Sequence, residues 1–185
     1  MTQYVALYGP RGAGKSTSAR LILDIVGAEQ VMMVHSAAPI YELQSHFYRI
    51  AGIKKDYRAQ DGNLLSDIAR HLRRLDPDCI PKLLLATIAE QFDTGTRPKL
   101  VVCDDSTPDD RRVLESAGFV FIHVTAPGSD RFMRRAARGD ISAVNDLNDP
   151  NITRVSGSDM VIDNADSLAM LRSRVAGVLH EIGVA

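Results

Sequence analysis
Residues 9–16 read GPRGAGKS and follow directly on the apolar run YVALY. Gly9, Gly14, Lys15 and Ser16 meet the spacing G-x-x-x-x-G-K-[ST], behind an expected strand and ahead of an expected helix, the context in which that spacing cradles nucleotide phosphates. Glycine accepts backbone angles that other residues resist, so the N–H groups from Gly9 through Arg11, Gly12 and Ala13 to Gly14 can turn inward around a phosphate. The helix behind the loop adds its N-terminal donors and dipole. Lys15 has the reach for β- and γ-phosphates, the Ser16 hydroxyl is a ligand for Mg²⁺, and Thr17 falls beside an α-phosphate.

A second set of chemistry-bearing residues ends the apolar run KLVVCDD, 99–105. Asp104 and Asp105 stand at the carboxyl end of a strand, the edge at which open α/β sheets bind ligands. A carboxylate there supports the Mg²⁺ hydration shell or accepts a proton from an attacking hydroxyl. The spacing does not choose between the two, and Asp109 and Asp110 read as solvated loop acids capping the next helix. Arg131, Arg134, Arg135 and Arg138 recur at intervals of three and four, so about three share a helical face. Arginine suits bidentate phosphate contact and the charge of a transferring phosphoryl group. The polar stretch that follows fits a lid, about 128–150. A second phosphate-bearing substrate needs cations away from the glycine loop. Arg58, Arg70, Arg73 and Arg74, in or beside the helix before DPDCIP, are the candidates, with Arg70 and Arg73 one turn apart. His35 and Ser36 end the second strand and face the same ligand edge. For each arginine run a solvated basic face is the alternative.

The elements that position these residues follow from hydrophobic periodicity. Strands are expected at 3–8, 31–35, 99–105, 119–126 and 160–163. Helices are expected at 15–26, 39–51, 63–74, 80–93, 108–117, 128–138 and 166–182, with a polar loop at 54–62 and a turn-rich stretch at 139–157. Strands rich in Val, Ile and Leu that alternate with helices indicate a parallel sheet covered on both faces. The expectation is one α/β domain over 1–185, three layers with roughly five parallel strands, a substrate-side helical segment at about 39–93 and a small helical lid.

Composition is that of an ordinary globular chain: 185 residues, 45% hydrophobic and 24% charged, with formal charge −1. That length suits one domain, and the charge argues against bulk attraction to nucleic acid or an anionic membrane. Cys79 and Cys103 have no metal-ligand spacing, and the five histidines form no metal pattern. A reduced, cytoplasmic setting is expected, with no signal peptide and no membrane span. The sequence sets no oligomeric state, and a dimer is compatible with it.

Taken in order, these motifs resemble the P-loop nucleotide kinases, most closely the deoxynucleoside monophosphate kinase family of phages and bacteria, with dephospho-CoA kinase as a more distant likeness. GPRGAGKST, HSAAPIYE, LLSDIARHLRRLDPDCI, KLVVCDDSTPDDRRVLESAGFVFIHV and DMVIDNADSLAML carry the resemblance over most of the chain. It implies a P-loop kinase fold and an ATP- and Mg²⁺-dependent phosphotransferase. Gly9, Gly12, Gly14, Lys15, Ser16 and Thr17 would bind ATP and the metal. Asp104 would support the metal or act as base, and Arg73 would hold the acceptor phosphate. Arg131, Arg134 or Arg135 would close from the lid, and Asn164 would lie near the adenine. The first acceptor expected is a nucleoside 5′-monophosphate, deoxy and with a modified base as an option; Ser36, Arg58 and Arg70 join Arg73 as candidate contacts from their placement in the sequence, not from the resemblance. Ala38, Ser66, Ala69, Ile80 and Ser106 depart from the family pattern, all on the acceptor side. A hydroxyl acceptor, such as a hydroxymethylated pyrimidine in a nucleotide or in DNA, is the related reading, and nucleic acid enters only as that acceptor. A P-loop ATPase or nucleotide-binding switch is the rival from another class.

Overall fold
The strands are β1 (Gln3–Tyr8), β2 (Val31–Val34), β3 (Leu100–Cys103), β4 (Phe119–Thr125) and β5 (Met160–Asp163). The helices are α1 (Lys15–Val26), α2 (Ala38–Ile50), α3 (Gly62–Leu75), α4 (Cys79–Thr94), α5 (Arg111–Ser116), α6 (Gly128–Arg138) and α7 (Leu168–Glu181). They are taken from a computed structural model that describes residues 1–54, 60–95, 97–140, 157 and 159–184. The five strands form one parallel sheet in the order β2-β3-β1-β4-β5.

Strand alternation assigns each residue to a layer. Val5 and Leu7 of β1, with Leu100 and Val102 of β3, face α1 and α7, where they meet Ile22, Leu171, Val175 and Leu179. Ala6, Tyr8, Val101 and Cys103 face the opposite way, onto Leu84 and Ile88 of α4 and Leu114 of α5. β3 is buried at all four positions, as a strand covered on both faces requires. A separate small cluster of Ile40, Leu65 and Ile80 joins α2, α3 and α4. It makes α2, α3 and α4 a packed unit beside the sheet.

The register aligns the strand ends. Ala6 pairs with Cys103, Val34 with Cys103, Tyr8 with His123 and Thr125 with Asp163. The glycine loop, His35–Ser36, Asp104–Asp105 and Asn164 therefore emerge along one edge of the sheet. The expected helix at 108–117 is a 3₁₀ turn, Pro108–Asp110, leading into the shorter α5. Thr107 and Asp110 form a capping box there, which fixes the tighter turn.

Candidate active site
The glycine loop connects β1 to α1 and is shaped by what packs behind it. Gly12 has φ 79°, and a Cβ on it would lie 2.7 Å from the Arg131 carbonyl oxygen. Gly9 has φ 136°, and a Cβ there would run into the Val124 carbonyl. Backbone from β4 and α6 thus comes too close for any side chain. Lys15 Nζ donates to the Gly9 and Pro10 carbonyls at 2.7 and 3.2 Å, which lays the ammonium across the mouth of the loop.

Two strand-end carboxylates have separate surroundings. Asp104 follows the parity of Leu100 and Val102, toward α1. It accepts a 2.6 Å hydrogen bond from His35 Nδ1, and the Ser16 hydroxyl also bonds to it. Burial would raise its carboxyl, but the His35 bond and charge, Ser16 and Lys15 outweigh burial and hold it below the ordinary range. The same bond raises His35. Asp105 points the other way. Its Oδ1 accepts from Ser36 N and Oγ at 2.7 and 2.9 Å, and its Oδ2 accepts from Ala37 N at 3.1 Å. Burial and the neighbouring Asp104 charge push its carboxyl up. Asp105 therefore fastens the turn into α2, and that turn carries Ser36.

A cavity of about 1220 Å³ runs from the glycine loop to α3. Arg11, Gly12, Gly14, Lys15, Ser16 and Thr17 line one end, and Ser36, Asp104 and Asp105 line its middle. Arg70, Arg73 and Arg74 line the far wall, and Arg134 and Arg138 line it from α6. Its volume lies at the upper end of the range of small-molecule sites. Arg73 donates to Asp110 Oδ1 at 2.9 Å and to Thr107 Oγ1 at 3.0 Å, and Arg70 pairs with Asp67 on its own helix. Asp110 is fully buried in this arrangement rather than solvated, which corrects the sequence expectation; its capping role is as expected.

The α6 arginines separate into two pairs. Arg131 and Arg135 are buried, 8% exposed each, and lie outside the cavity lining. Arg131 Nε donates to the Ala126 carbonyl. Arg134 NH1 donates to Gly12 O and Ala13 O at 3.3 and 3.4 Å, and its NH2 to Asn164 O at 3.1 Å. Asn164 is buried too, with its side chain donating to Ala13 O at 2.8 Å, and is a brace for the loop. Arg58 and residues 141–150 of the expected lid lie outside the described residues. Sequence reasoning missed the His35–Asp104 bond and the split of the two acids. The alternation in KLVVCDD carried the second signal, because adjacent strand residues face opposite layers.

No family model matches the chain, and no curated protein matches it in sequence. Solved structures do match in fold. A sugar kinase from Janibacter sp. is 16% identical with a TM-score of 0.55, the match covering 100% of this chain and 96% of that one. A shikimate kinase from Acinetobacter baumannii, in complex with shikimate, is 15% identical at TM-score 0.55 over 98% and 93% of the two chains. An APS kinase from Mycobacterium tuberculosis, in complex with AMPPNP and APS, is 17% identical at TM-score 0.57 over 97% and 98%. This chain has the three-layer α/β fold of the P-loop kinases. Among the described residues no helix is long and apolar enough to cross a membrane.

Proposed function
We propose that this protein is an ATP-dependent phosphotransferase whose acceptor is a nucleoside monophosphate, ribo or deoxy. The observation that carries the reading is the continuous cavity, with Lys15, Ser16 and Asp104 at one end and a wall of α3 arginines at the other. In the reaction an acceptor oxygen forms a bond to the γ-phosphorus while the bond from that phosphorus to the β–γ bridging oxygen breaks, and ADP leaves. Positioning and fixed charge do most of the catalysis in such a transfer. Loop amides and Lys15 hold the triphosphate. The Ser16 hydroxyl and an Asp104 kept ionised form a hard-oxygen donor pair that fits Mg²⁺. When bound, the ion neutralises charge on the phosphates. Arg134 and Arg138 supply cations from the lid side, and Arg73 with Arg70 faces the acceptor. Arg131, whose backbone backs Gly12, and Asn164, which bonds to Ala13 O, act by holding the loop rather than by touching substrate.

One observation favours a second acceptor class. Arg73 and Arg70 already have carboxylate partners, Asp110 and Asp67. A wall so neutralised also suits an acceptor that offers a hydroxyl, such as a hydroxymethylated pyrimidine nucleotide. The deciding experiment is ADP release from Mg-ATP with ribo- and deoxynucleoside monophosphates, hydroxymethylated pyrimidine nucleotides and hydroxymethylated DNA. Release that depends on a monophosphate supports the first reading; release confined to the hydroxymethylated compounds moves the acceptor to the second. Acceptor-independent hydrolysis alone would make the protein an ATPase.

A further inference from the structure
Tyr41 lies in the first turn of α2, four residues beyond the Ala37 amide that Asp105 holds, and it lines the cavity. Its phenol oxygen accepts a hydrogen bond from Gln60 Nε2 at 3.1 Å. The Gln60 oxygen faces Arg138 NH2 at a longer 3.5 Å, and Arg138 is held by Asp140 through two contacts of 2.7 and 2.6 Å. A guanidinium has only donors, so the Gln60 oxygen turns to Arg138 and its NH₂ to Tyr41. That leaves the Tyr41 oxygen occupied as an acceptor and its O–H directed elsewhere. Among the described residues the O–H meets no acceptor. The phenol shares its cavity with Arg11 and Lys15 of the glycine loop and with Arg70 and Arg73 of α3, and its charged neighbours include Asp105, Asp104 and Arg138.

We propose that Tyr41 is a specificity-determining residue, donating a hydrogen bond from its phenol to an oxygen of the acceptor group that receives the phosphoryl. The inference rests on the phosphotransferase reading. Gln60 is the positioning residue, since it fixes which way the phenol proton points. Burial pushes the phenol up to about 12, so the donor keeps its proton throughout any ordinary assay range. Ile40, Leu65 and Ile80 form an apolar floor beside it and line the same cavity.

The test is Tyr41→Phe in the full chain, assayed by ADP release with the best acceptor from the panel above and by equilibrium ATP binding. Phenylalanine keeps the ring and its packing. The acceptor KM should rise roughly 10- to 100-fold, the effect of one lost hydrogen bond to a charged oxygen, with ATP affinity and melting temperature unchanged. Gln60→Leu should give a smaller rise in the same parameter. An acceptor KM within twofold of wild type overturns the inference, and so does a parallel loss of ATP affinity and melting temperature, which marks a structural role. If the wild type itself shows no acceptor-dependent ADP release, the phosphotransferase reading fails first and this inference with it, an outcome distinct from the other two.

Discussion
Asp104 and Asp105 are neighbours in sequence with different work to do. Asp104 has Ser16, His35 and Lys15 around it; Asp105 has the amides of Ser36 and Ala37. Asp104→Asn is expected to lower kcat about 10²–10³-fold, the usual scale for removing one preorganised charge from a phosphoryl-transfer site, with a smaller fall in melting temperature than in activity because the amide oxygen still accepts from His35. Asp105→Asn should do the reverse. It replaces one carboxylate oxygen by an NH₂ that cannot accept, which costs roughly 1–3 kcal/mol of stability and appears in a thermal melt. Equal kinetic loss in both variants would contradict the division. Lys15→Ala should reduce ADP release by at least about 10²-fold on the same argument; unimpaired turnover would remove the glycine loop from the chemistry.

At the scale of elements, the loop keeps its form because β4, α6 and Asn164 back it. Gly12→Ala would force a side chain into a left-handed backbone, at roughly 1–2 kcal/mol, and against the Arg131 carbonyl 2.7 Å away. ATP binding, measured by calorimetry, should weaken more than the melting temperature falls, because the loop can yield without the sheet. The same elements show what the sequence could and could not tell. The glycine loop was legible because its requirement is local: backbone angles and a following helix. The strands were legible because a parallel strand covered on both faces is apolar along most of its length, as β3 is at every position. The arginine helix was legible as a face but not in its direction. Spacing groups Arg131 with Arg135 and Arg134 with Arg138, yet only tertiary packing decides which pair is buried under α6 and which lines the cavity. Arg73 likewise read as a free cation, because nothing in the spacing of DDRR announces that Asp110 returns across 37 positions to meet it.

Across the whole molecule, a polar network crosses the layer on which α5 packs. Arg111 donates to both oxygens of Asp159 at 2.8 and 2.6 Å, and Tyr8 hydrogen-bonds to the same carboxylate. The guanidinium also lies over the Phe121 and Tyr8 rings, 4.4 and 5.4 Å from their centres. Asp159 is 3% exposed, so removing its cation leaves a buried charge short of a partner. Arg111→Ala is expected to cost about 3 kcal/mol, read as a shift in urea midpoint with little change in slope. No midpoint shift would mean that water reaches Asp159.

β1, the first strand of this sequence, occupies the middle of the sheet, bonded to β3 on one side and β4 on the other. Gln3 waits for Leu100, and Tyr4 for Phe119. During synthesis, then, nearly a hundred residues separate β1 from its first partner, and Asn164 reaches the loop only after β4 and β5 have followed. Such distant pairing makes for slow folding, and a nucleotide cannot act as an early template for it. A chain released after residue 158 should be cleaved rapidly in pulse proteolysis whether or not ATP is present, whereas ATP should protect the full chain. Protection of the shorter chain by ATP would show that the loop forms before its last brace arrives.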